Sequence, residues 1–185
     1  MKMTISLVAM AALGLAWAAP VAAQSSSHLP VAGYPAAQDV PGAHELPDPT
    51  LDYKVVFTIG GTEPRDSSAA VHPMLPTLAT YVNTLAKHGV PAEKRHLVVM
   101  FHQRSTDFDI VMSNEAFKAR YGADNPNIEL IHALTQAGVE FRACGQGLAA
   151  RTIDASEMNP DIQTDLWAMT SIVNLQMRGF GRVGN

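Results

Sequence analysis

Residues 139–147 (VEFRACGQG) decide the fold of this chain and point to a site. The pattern predicts a short β-strand that stops at Cys144, the only cysteine in the sequence. A tight turn at Gly145 then leads from the thiol into a helical run. In an open α/β sheet, ligands and reactive groups collect at the edge where such strands end. The stretch therefore predicts the position of a functional site but does not predict its chemistry.

Two other apolar runs predict strands that end in a similar manner. Residues 53–59 (YKVVFTI) end at Gly60 and Gly61, and residues 95–101 (RHLVVMF) end at His102. Segments with apolar residues at helical spacing separate the predicted strands. Strands that alternate with helices indicate βαβ units, with a parallel sheet and right-handed crossovers. We therefore expect a three-layer α/β domain.

Weaker patterns fill the rest of the predicted domain. Residues 108–112 are a short apolar segment that we interpret as a small extra strand, and Ser113 is a candidate helix cap. Asn125 before Pro126 is a stronger start signal, because proline is tolerated at the first helical position. A last helix carries four apolar residues on one face, and a short strand over 180–183 follows it. The four residues of that face are Leu166, Met169, Val173 and Met177.

Three segments divide the chain. Residues 1–23 have a positive start, an apolar stretch and small residues at the end, which predicts a cleaved secretory signal peptide. The apolar stretch is shorter than the roughly 20 residues of a spanning helix, so we expect no membrane anchor after cleavage. Residues 24–52 are rich in proline, which predicts an extended tether, either a spacer or an arm across a neighbouring subunit. Residues 53–183 form the α/β domain, and we expect the exported protein in the periplasm.

Length, charge and cysteine content exclude several classes of protein. At 185 residues and 47% apolar content, the chain is long enough to bury an ordinary core. The net charge is −4 and no run of Lys and Arg occurs, which argues against nucleic acid as a partner. One cysteine makes no internal disulfide, so packing alone must hold the fold. His72, His96 and His132 have no partner at metal-ligand spacing, so we expect no metal, and we expect no cofactor.

The predicted topology brings three strand ends to one edge of the sheet. In a parallel sheet, the turn at Gly60 and Gly61, the imidazole of His102 and the thiol of Cys144 meet there. Glycine lets backbone N–H groups approach a bound group closely. Cys144 precedes Gly145 and a helix start, where unpaired amides and the helix dipole favour a thiolate over a thiol. A thiolate is the form that attacks sulfur, carbon or a metal.

Each of these residues also has a structural interpretation. A lone cysteine is often a small buried hydrophobic residue, and a histidine at the end of an apolar strand is usually structural. Gln146 and Arg151, the candidate ligand contacts beside the thiol, belong more often to turns and surfaces. Two motifs are excluded. Gly147 stands where a Cys-x-x-Cys pair needs its second cysteine, and Arg142 and Gln146 stand where a nucleophile elbow needs glycines.

Four motifs together resemble the DsrE/DsrF-like (YchN-type) family. They are YGADNPN at 121–127, LTQAGVE at 134–140, CGQGLAAR at 144–151 and LQMRGF at 175–180. The strand that ends in Phe101 and His102 fits the same pattern, so the resemblance covers nearly all of the α/β domain. It implies a small flavodoxin-like domain that assembles as a homo-oligomer, a trimer or a hexamer. In the sulfur-relay members that it resembles, the cysteine matching Cys144 carries sulfur as a persulfide between partner proteins.

The leading hypothesis is a thiol-based sulfur carrier or sulfurtransferase-like protein. Cys144 would carry the persulfide, with His102 as a nearby base or hydrogen-bond donor. The amides at Gly60, Gly61 and Gly145 would stabilise the anionic sulfur. No second cysteine is present, so the sulfur must leave to a partner protein or a small thiol. Two alternatives stay open: a non-catalytic module for ligand binding or assembly on the same edge, and a peroxide-sensing thiol that forms a sulfenic acid.

Overall fold

A computed structural model describes residues 29–60, 70–102 and 108–184 of the chain. The predicted signal segment 1–23 and Gly61 lie outside the described residues. Within the described ranges, no helix has both the length and the apolar character that crossing a membrane requires.

A five-stranded parallel sheet forms the centre of the domain, with the strand order β4-β3-β2-β1-β5. The strands are β1 (Tyr53–Ile59), β2 (Arg95–Phe101), β3 (Val139–Cys144), β4 (Ile162–Asp165) and β5 (Gly181–Gly184). The three main strands and the terminal strand lie where the sequence predicts them. Residues 97–101 of β2 are all buried, which a central parallel strand covered on both faces requires.

Helices lie on both faces of the sheet, so the predicted three-layer α/β class is confirmed. They are α1 (Met74–Lys87), α2 (Asn114–Tyr121), α3 (Ile128–Gln136), α4 (Gly145–Arg151) and α5 (Ala168–Met177). α1 contacts α3, whereas α5 contacts β2 and β5. The crossover that contains α5 runs back along the sheet from β4 to β5. Because crossovers are right-handed, α1 and α5 cover opposite faces.

The core lies directly beneath the strand ends that carry the predicted site. Phe101 at the end of β2 stacks on Phe141 of β3, with ring centroids 6.1 Å apart. Both side chains are among the fully buried large residues of the domain. The carboxyl edge of the sheet therefore rests on close-packed aromatic rings, a rigid base for the groups above it.

Residues 108–112 do not form the predicted strand. Phe108–Val111 is a short 3-10 helix, and Met112 alone pairs, in an antiparallel bridge with Met158. The apolar side chains of this turn are buried. The apolar run therefore reflects burial alone. A short apolar run fits a strand as well as other buried structure, so its pattern does not distinguish between them.

Asn125 is not the cap of a helix, contrary to the sequence prediction. α3 begins at Ile128, with Asn127 before it. The Asn125 side chain still accepts through Oδ1 from the N–H of Asn127 just before α3, at 3.1 Å. Its Nδ2 donates to the carbonyl oxygens of Ile110 and Met112, at 3.0 and 2.9 Å. This buried amide therefore connects the start of α3 to the 3-10 turn, although the helix itself begins later than predicted.

The four residues of the predicted apolar face of the last helix are exposed and do not pack on the sheet. They are Leu166, Met169, Val173 and Met177. Leu166 also lies outside the helix, contrary to the prediction, since α5 begins at Ala168. The inward side of α5 is formed instead by Ala168, Ile172 and Leu175. Since the helix is apolar on both sides, helical periodicity does not select the side that packs.

β4 is a strand that the sequence analysis did not predict. Of its four residues only Ile162 is buried, and a single apolar residue makes no strand pattern. Its parallel pairing with β3 places Asp165 beside Cys144. A strand without a local signal therefore forms one side of the candidate site.

For the proline-rich segment, the sequence predicted a spacer or an arm across a neighbouring subunit. Its described residues 29–52 contact their own domain, and residues 31–39 lie against α1. They contain no helix or strand, in agreement with their proline content. Val31 is wholly buried, and its backbone N–H donates to Asn83 Oδ1 at 2.9 Å. Asn83 Nδ2 donates to the carbonyl oxygens of Val31 and Tyr34, each at 2.8 Å. One buried amide of α1 thus pairs three backbone groups and binds this arm to the domain.

Asn83→Ala should lower the free energy of unfolding by about 2–4 kcal/mol, because it leaves buried backbone groups of the arm without partners. Thr84→Ala is the matched control. Thr84 Oγ1 accepts from the N–H of Ala37 at 2.8 Å in an exposed position, and losing this bond should cost about 0.5–1.5 kcal/mol. Urea unfolding followed by circular dichroism measures both. Equal losses in the two variants would contradict a specific role for the buried amide.

Candidate functional site

Three of the predicted site residues follow directly on three adjacent strands. The last residues of β1 and β2 pair with each other, and Phe101 of β2 pairs with Ala143 of β3. Gly60, His102 and Cys144 come next and therefore stand side by side at the carboxyl edge, on strands about 4.8 Å apart. The backbone N–H of His102 continues the ladder, since it donates to the carbonyl oxygen that ends β1 at 2.9 Å. The parallel topology thus brings these residues together as predicted.

The thiol of Cys144 is buried beneath the start of α5. Cys144 is 0% exposed, and the N–H of Ala168, the first residue of α5, donates to its Sγ at 3.3 Å. Cys144 also immediately precedes Gly145, the first residue of α4. The sulfur therefore lies at the amino ends of two helices, α4 and α5. The sequence predicted a helix start after the thiol, but not the second helix above it.

Gly145 lets the end of β3 pack closely against the connection between β4 and α5. A β-carbon at this position would lie 2.9 Å from the carbonyl oxygen of Asp165 and 3.3 Å from that of Leu166. Gln146 spans the same gap, and its Nε2 donates to the carbonyl oxygen of Leu166 at 3.2 Å. Both residues were predicted as ligand contacts. Their contacts in the fold hold the connection in place over Cys144.

A charged group that the sequence analysis missed lies on the Cys144 side of the sheet. Arg142 Nη2 contacts Glu140 Oε1 at 2.6 Å, and Arg142 Nη1 lies 3.5 Å from Asp165 Oδ2. Side chains two residues apart on a strand share a face, so Arg142 and Cys144 lie on the same side. The sequence did contain an indication of this group. Apolar and polar residues alternate in β3, which is typical of a strand with one face only partly buried.

Arg151 lies at the end of α4 that is remote from the thiol. Its guanidinium stacks over the ring of Phe108, 4.8 Å from the centroid, and its Nη1 lies 3.5 Å from the carbonyl oxygen of Gly147, to which it donates. A cation held over an aromatic face is a stabilising contact. These contacts bind α4 to the 3-10 turn, so Arg151 has a packing role in the fold.

A tyrosine near the same turn has a strongly shifted ionisation. Tyr121 donates its phenol hydrogen to Asp109. Burial, and next the hydrogen bond to Asp109, raises the pKa of Tyr121 from 10.0 to about 12. The folded protein therefore keeps the neutral phenol at a pH where an unfolded tyrosine ionises.

The carboxyl edge carries the one thiol of the chain, that of Cys144. In the part of the chain that the structure describes, no cluster of His, Cys, Asp and Glu has an arrangement that holds a metal ion. Cys144 has an amide donor aimed at its sulfur and a charged group on the same side of the sheet. Such a thiol is suited to act as a nucleophile toward sulfur once a reagent reaches it.

The match to a known family covers nearly the whole sheet. The sequence model of the DsrE/DsrF-like family matches residues 54–181, from β1 to the start of β5. The chain belongs to the DsrE/DsrF-like family. The resemblance identified from the four sequence motifs is thereby confirmed, and the matched range of this DsrE/DsrF-like domain includes Cys144 and His102.

A solved structure shares the DsrE/DsrF-like fold of this domain. It is a protein of unknown function, MTH1491, from Methanobacterium thermoautotrophicum, with a TM-score of 0.52 and 21% sequence identity. The similarity covers 71% of this chain and 98% of that one. At this identity the likeness shows the fold alone. No curated protein matches the chain.

Gly145→Ala should destabilise the protein by about 1–3 kcal/mol, because the added methyl group overlaps two backbone carbonyl groups. Gly181→Ala is the matched control, since the nearest atom to its β-carbon would be the Lys54 carbonyl oxygen at 3.9 Å. That change should alter the free energy of unfolding by less than about 0.5 kcal/mol. Thermal unfolding compares the two variants, and an equally stable Gly145→Ala variant would contradict the close approach.

Tyr121→Phe should make the free energy of unfolding fall less steeply as the pH rises above 10.0. An unfolded tyrosine releases its proton near pH 10.0, whereas the pKa of Tyr121 in the folded protein is about 12. The stabilising contribution is therefore complete below the lower value and is lost as the pH rises through the higher one. Phenylalanine has no proton to release. Urea unfolding across this pH range tests the effect, and parallel stability curves for the two proteins would contradict the raised pKa.

Proposed function

We propose that the protein is an exported, thiol-based sulfur carrier that acts through Cys144. Membership of the DsrE/DsrF-like family, which is associated with sulfur relay, supports this function. The observation that carries the proposal is the Ala168 N–H, which donates to Cys144 Sγ at 3.3 Å. A donor aimed at the sulfur stabilises the thiolate, the form needed both to accept and to release sulfur. Export to the periplasm is part of the proposal and rests on segment 1–23.

Sulfur transfer at one thiol proceeds by two exchange steps. The Cys144 thiolate attacks the outer sulfur of a donor persulfide, the S–S bond of the donor breaks, and the donor leaves as a thiolate. An acceptor thiolate then attacks the outer sulfur on Cys144 and restores the Cys144 thiolate. The two steps together need no oxidant or reductant. Since the chain has one cysteine, donor and acceptor are other molecules, a partner protein or a small thiol.

Neighbouring groups at the carboxyl edge supply the remaining roles. We assign His102 as the base or hydrogen-bond donor next to the sulfur, because the register of β2 and β3 places it beside Cys144. The amides at Gly60 and Gly145 stabilise the outer, anionic sulfur of the persulfide. Gly61, for which the sequence suggested the same role, lies outside the described residues. These assignments keep the roles that the sequence suggested.

Transfer also requires the start of α5 to move. Cys144 is wholly buried, and the N–H of Ala168 at the start of α5 contacts its sulfur. Local opening of a helix terminus needs less free energy than global unfolding. A partner protein that binds the open form shifts the equilibrium toward it, so partner binding and thiol exposure are coupled.

Treatment of the protein with inorganic polysulfide should add one sulfur atom, about 32 Da, to Cys144. Intact-mass spectrometry detects the addition, and peptide mapping locates it. Cys144→Ser is the control and should gain no mass, while dithiothreitol should remove the sulfur from the wild type. If a cysteine-containing peptide gains sulfur in the same solution and the wild-type protein does not, the sulfur-carrier function is wrong.

Ala168→Pro should reduce the fraction of persulfide-loaded Cys144 roughly tenfold, because it removes the N–H that donates to the sulfur. Proline fits the first position of a helix, and Trp167 before it is already extended. Ala168→Gly keeps the N–H and is the matched control. Equal loading of the two variants, both shown to be folded by circular dichroism, would show that this amide does not support the thiolate.

The complete burial of Cys144 favours a second candidate function, a non-catalytic module for binding or assembly. In that case the thiol is a small packed side chain. Alkylation of the native protein by iodoacetamide, compared with protein unfolded in urea, separates the two candidates. Labelling that is faster than global unfolding favours the carrier. Labelling that occurs only on global unfolding favours the module.

A further inference from the structure

An apolar pocket of about 280 Å³ lies between α1 and the edge of the sheet that β1 and β5 form. Seven described residues line this pocket, and none of them is charged. Val55 and Phe57 belong to β1, and Val183 belongs to β5. The others lie on α1, among them Met74, Leu78 and Tyr81. The surface of the pocket consists almost entirely of apolar atoms.

The edge strand β5 explains why a pocket forms at this place. In the parallel register, Gly181 pairs with Val55 and Val183 pairs with Phe57, and paired residues project on the same face of the sheet. Gly181 has no side chain, and the atom nearest to a β-carbon there would be the carbonyl oxygen of Lys54, at 3.9 Å. The space beside Val55 is therefore bounded by α1 on one side and by a glycine of the edge strand on the other.

The pocket and Cys144 lie on opposite faces of the sheet. Phe57 pairs with Val99, and Val99 pairs with Phe141, so these three side chains project on one face. Cys144 follows Phe141 by three residues on the same strand and therefore projects on the other face. A molecule in the pocket does not reach the thiol, so this site is separate from any sulfur chemistry at Cys144.

Segments of the chain outside the described ranges have the wrong composition to occupy the pocket. Residues 24–28 (QSSSH), 61–69 (GTEPRDSSA) and 103–107 (QRSTD) contain no Leu, Ile, Val, Met, Phe, Tyr or Trp, and the last residue is Asn185. The large apolar residues of segment 1–23 leave with the predicted signal peptide. The occupant of the pocket is therefore a separate molecule.

The size and chemistry of the pocket select a small, uncharged molecule. A specific protein interface buries about 800 Å² on each partner, far more than a pocket with seven lining residues provides. A charged group would lose its hydration without gaining a partner, because no lining residue is charged. An apolar cavity of about 150 Å³ holds benzene, so a pocket of about 280 Å³ suits a flat molecule of roughly ten non-hydrogen atoms.

Two aromatic rings in the lining favour an aromatic molecule. Phe57 and Tyr81 pack edge to face, with their ring centroids 5.5 Å apart and an angle of 70° between the rings. A third ring extends such a pair favourably, and the thioether of Met74 is a further good contact for an aromatic ring. We propose that this pocket is a binding site for a small, neutral aromatic molecule about the size of naphthalene. A concave, preformed and mainly apolar pocket is the usual form of a small-molecule site.

Titration of the exported protein with naphthalene, followed by NMR, tests the site. Naphthalene should bind one to one with a dissociation constant of about 10–100 μM, within the bounds for a ligand of about ten non-hydrogen atoms. The anion 1-naphthoate has the same rings with a carboxylate and should bind at least about tenfold more weakly.

Val183→Trp should weaken the binding of naphthalene at least about tenfold, because the larger side chain occupies the pocket. Arg182→Trp is the matched control. Arg182 is the neighbour of Val183 on β5 and projects on the opposite face, so the same side chain there should leave binding unchanged. Circular dichroism checks that each variant is folded.

Nuclear Overhauser effects locate the ligand in the wild-type protein. Naphthalene protons should show them to the methyl groups of Val55, Leu78 and Val183. No saturable binding up to the solubility limit of naphthalene, contacts only to methyl groups elsewhere, equal affinity for 1-naphthoate, or unchanged affinity of folded Val183→Trp would each overturn the proposal. If Val183→Trp does not fold, the contacts in the wild type decide.

Discussion

The close approach of Gly145 to the carbonyl oxygen of Asp165 determines how the carboxyl edge of the sheet is built. A β-carbon at position 145 would lie 2.9 Å from that oxygen, so a side chain there would push the two backbones apart. Without one, the connection between β4 and α5 packs directly on the end of β3. That packing brings the N–H of Ala168 to the sulfur of Cys144. One missing β-carbon thus positions a strand, a helix start and the donor to the thiol.

Sequence patterns predicted the elements that consist of several consecutive apolar residues. β1 and β2 are apolar runs that end in the core, and a run of that kind is recognisable without knowledge of its partner. β4 is different, because it has one buried residue and owes its strand structure to pairing with β3. Pairing between distant segments leaves little trace in a local pattern, so the strand beside the thiol was the one missed.

The same distinction applies to the candidate site. Parallel strands all end at one edge, so a single assumption about topology was enough to bring Gly60, His102 and Cys144 together. Burial of the thiol did not follow from that assumption, because it depends on the path of a connection between two later elements. The sequence also could not show which contacts Gln146 and Arg151, the predicted ligand contacts, make within the fold. Their partners, the carbonyl of Leu166 and the ring of Phe108, lie in other segments of the chain.

α5 shows the limit of periodicity in a different way. Its spacing correctly indicated a helix, yet Met169, Val173 and Met177 of the predicted apolar face are exposed. A helix with two apolar sides needs two partners, and the sequence does not say which partner is internal. For the arm along α1, the local structure was predicted but its attachment to the domain was not. Its prolines predicted an irregular segment, while its attachment depends on the single side chain of Asn83.

Burial of the lone thiol under the first turn of α5 has a kinetic consequence. A reagent modifies Cys144 only in molecules whose structure around the thiol has opened, so with rapid reclosing the observed rate is the intrinsic rate multiplied by the opening equilibrium constant. No other thiol contributes to the signal, since the chain has one cysteine. The protein therefore carries a native reporter of local opening at one defined place. Oxidants face the same requirement, so the resistance of this cysteine to oxidation is set by the local stability of a helix terminus.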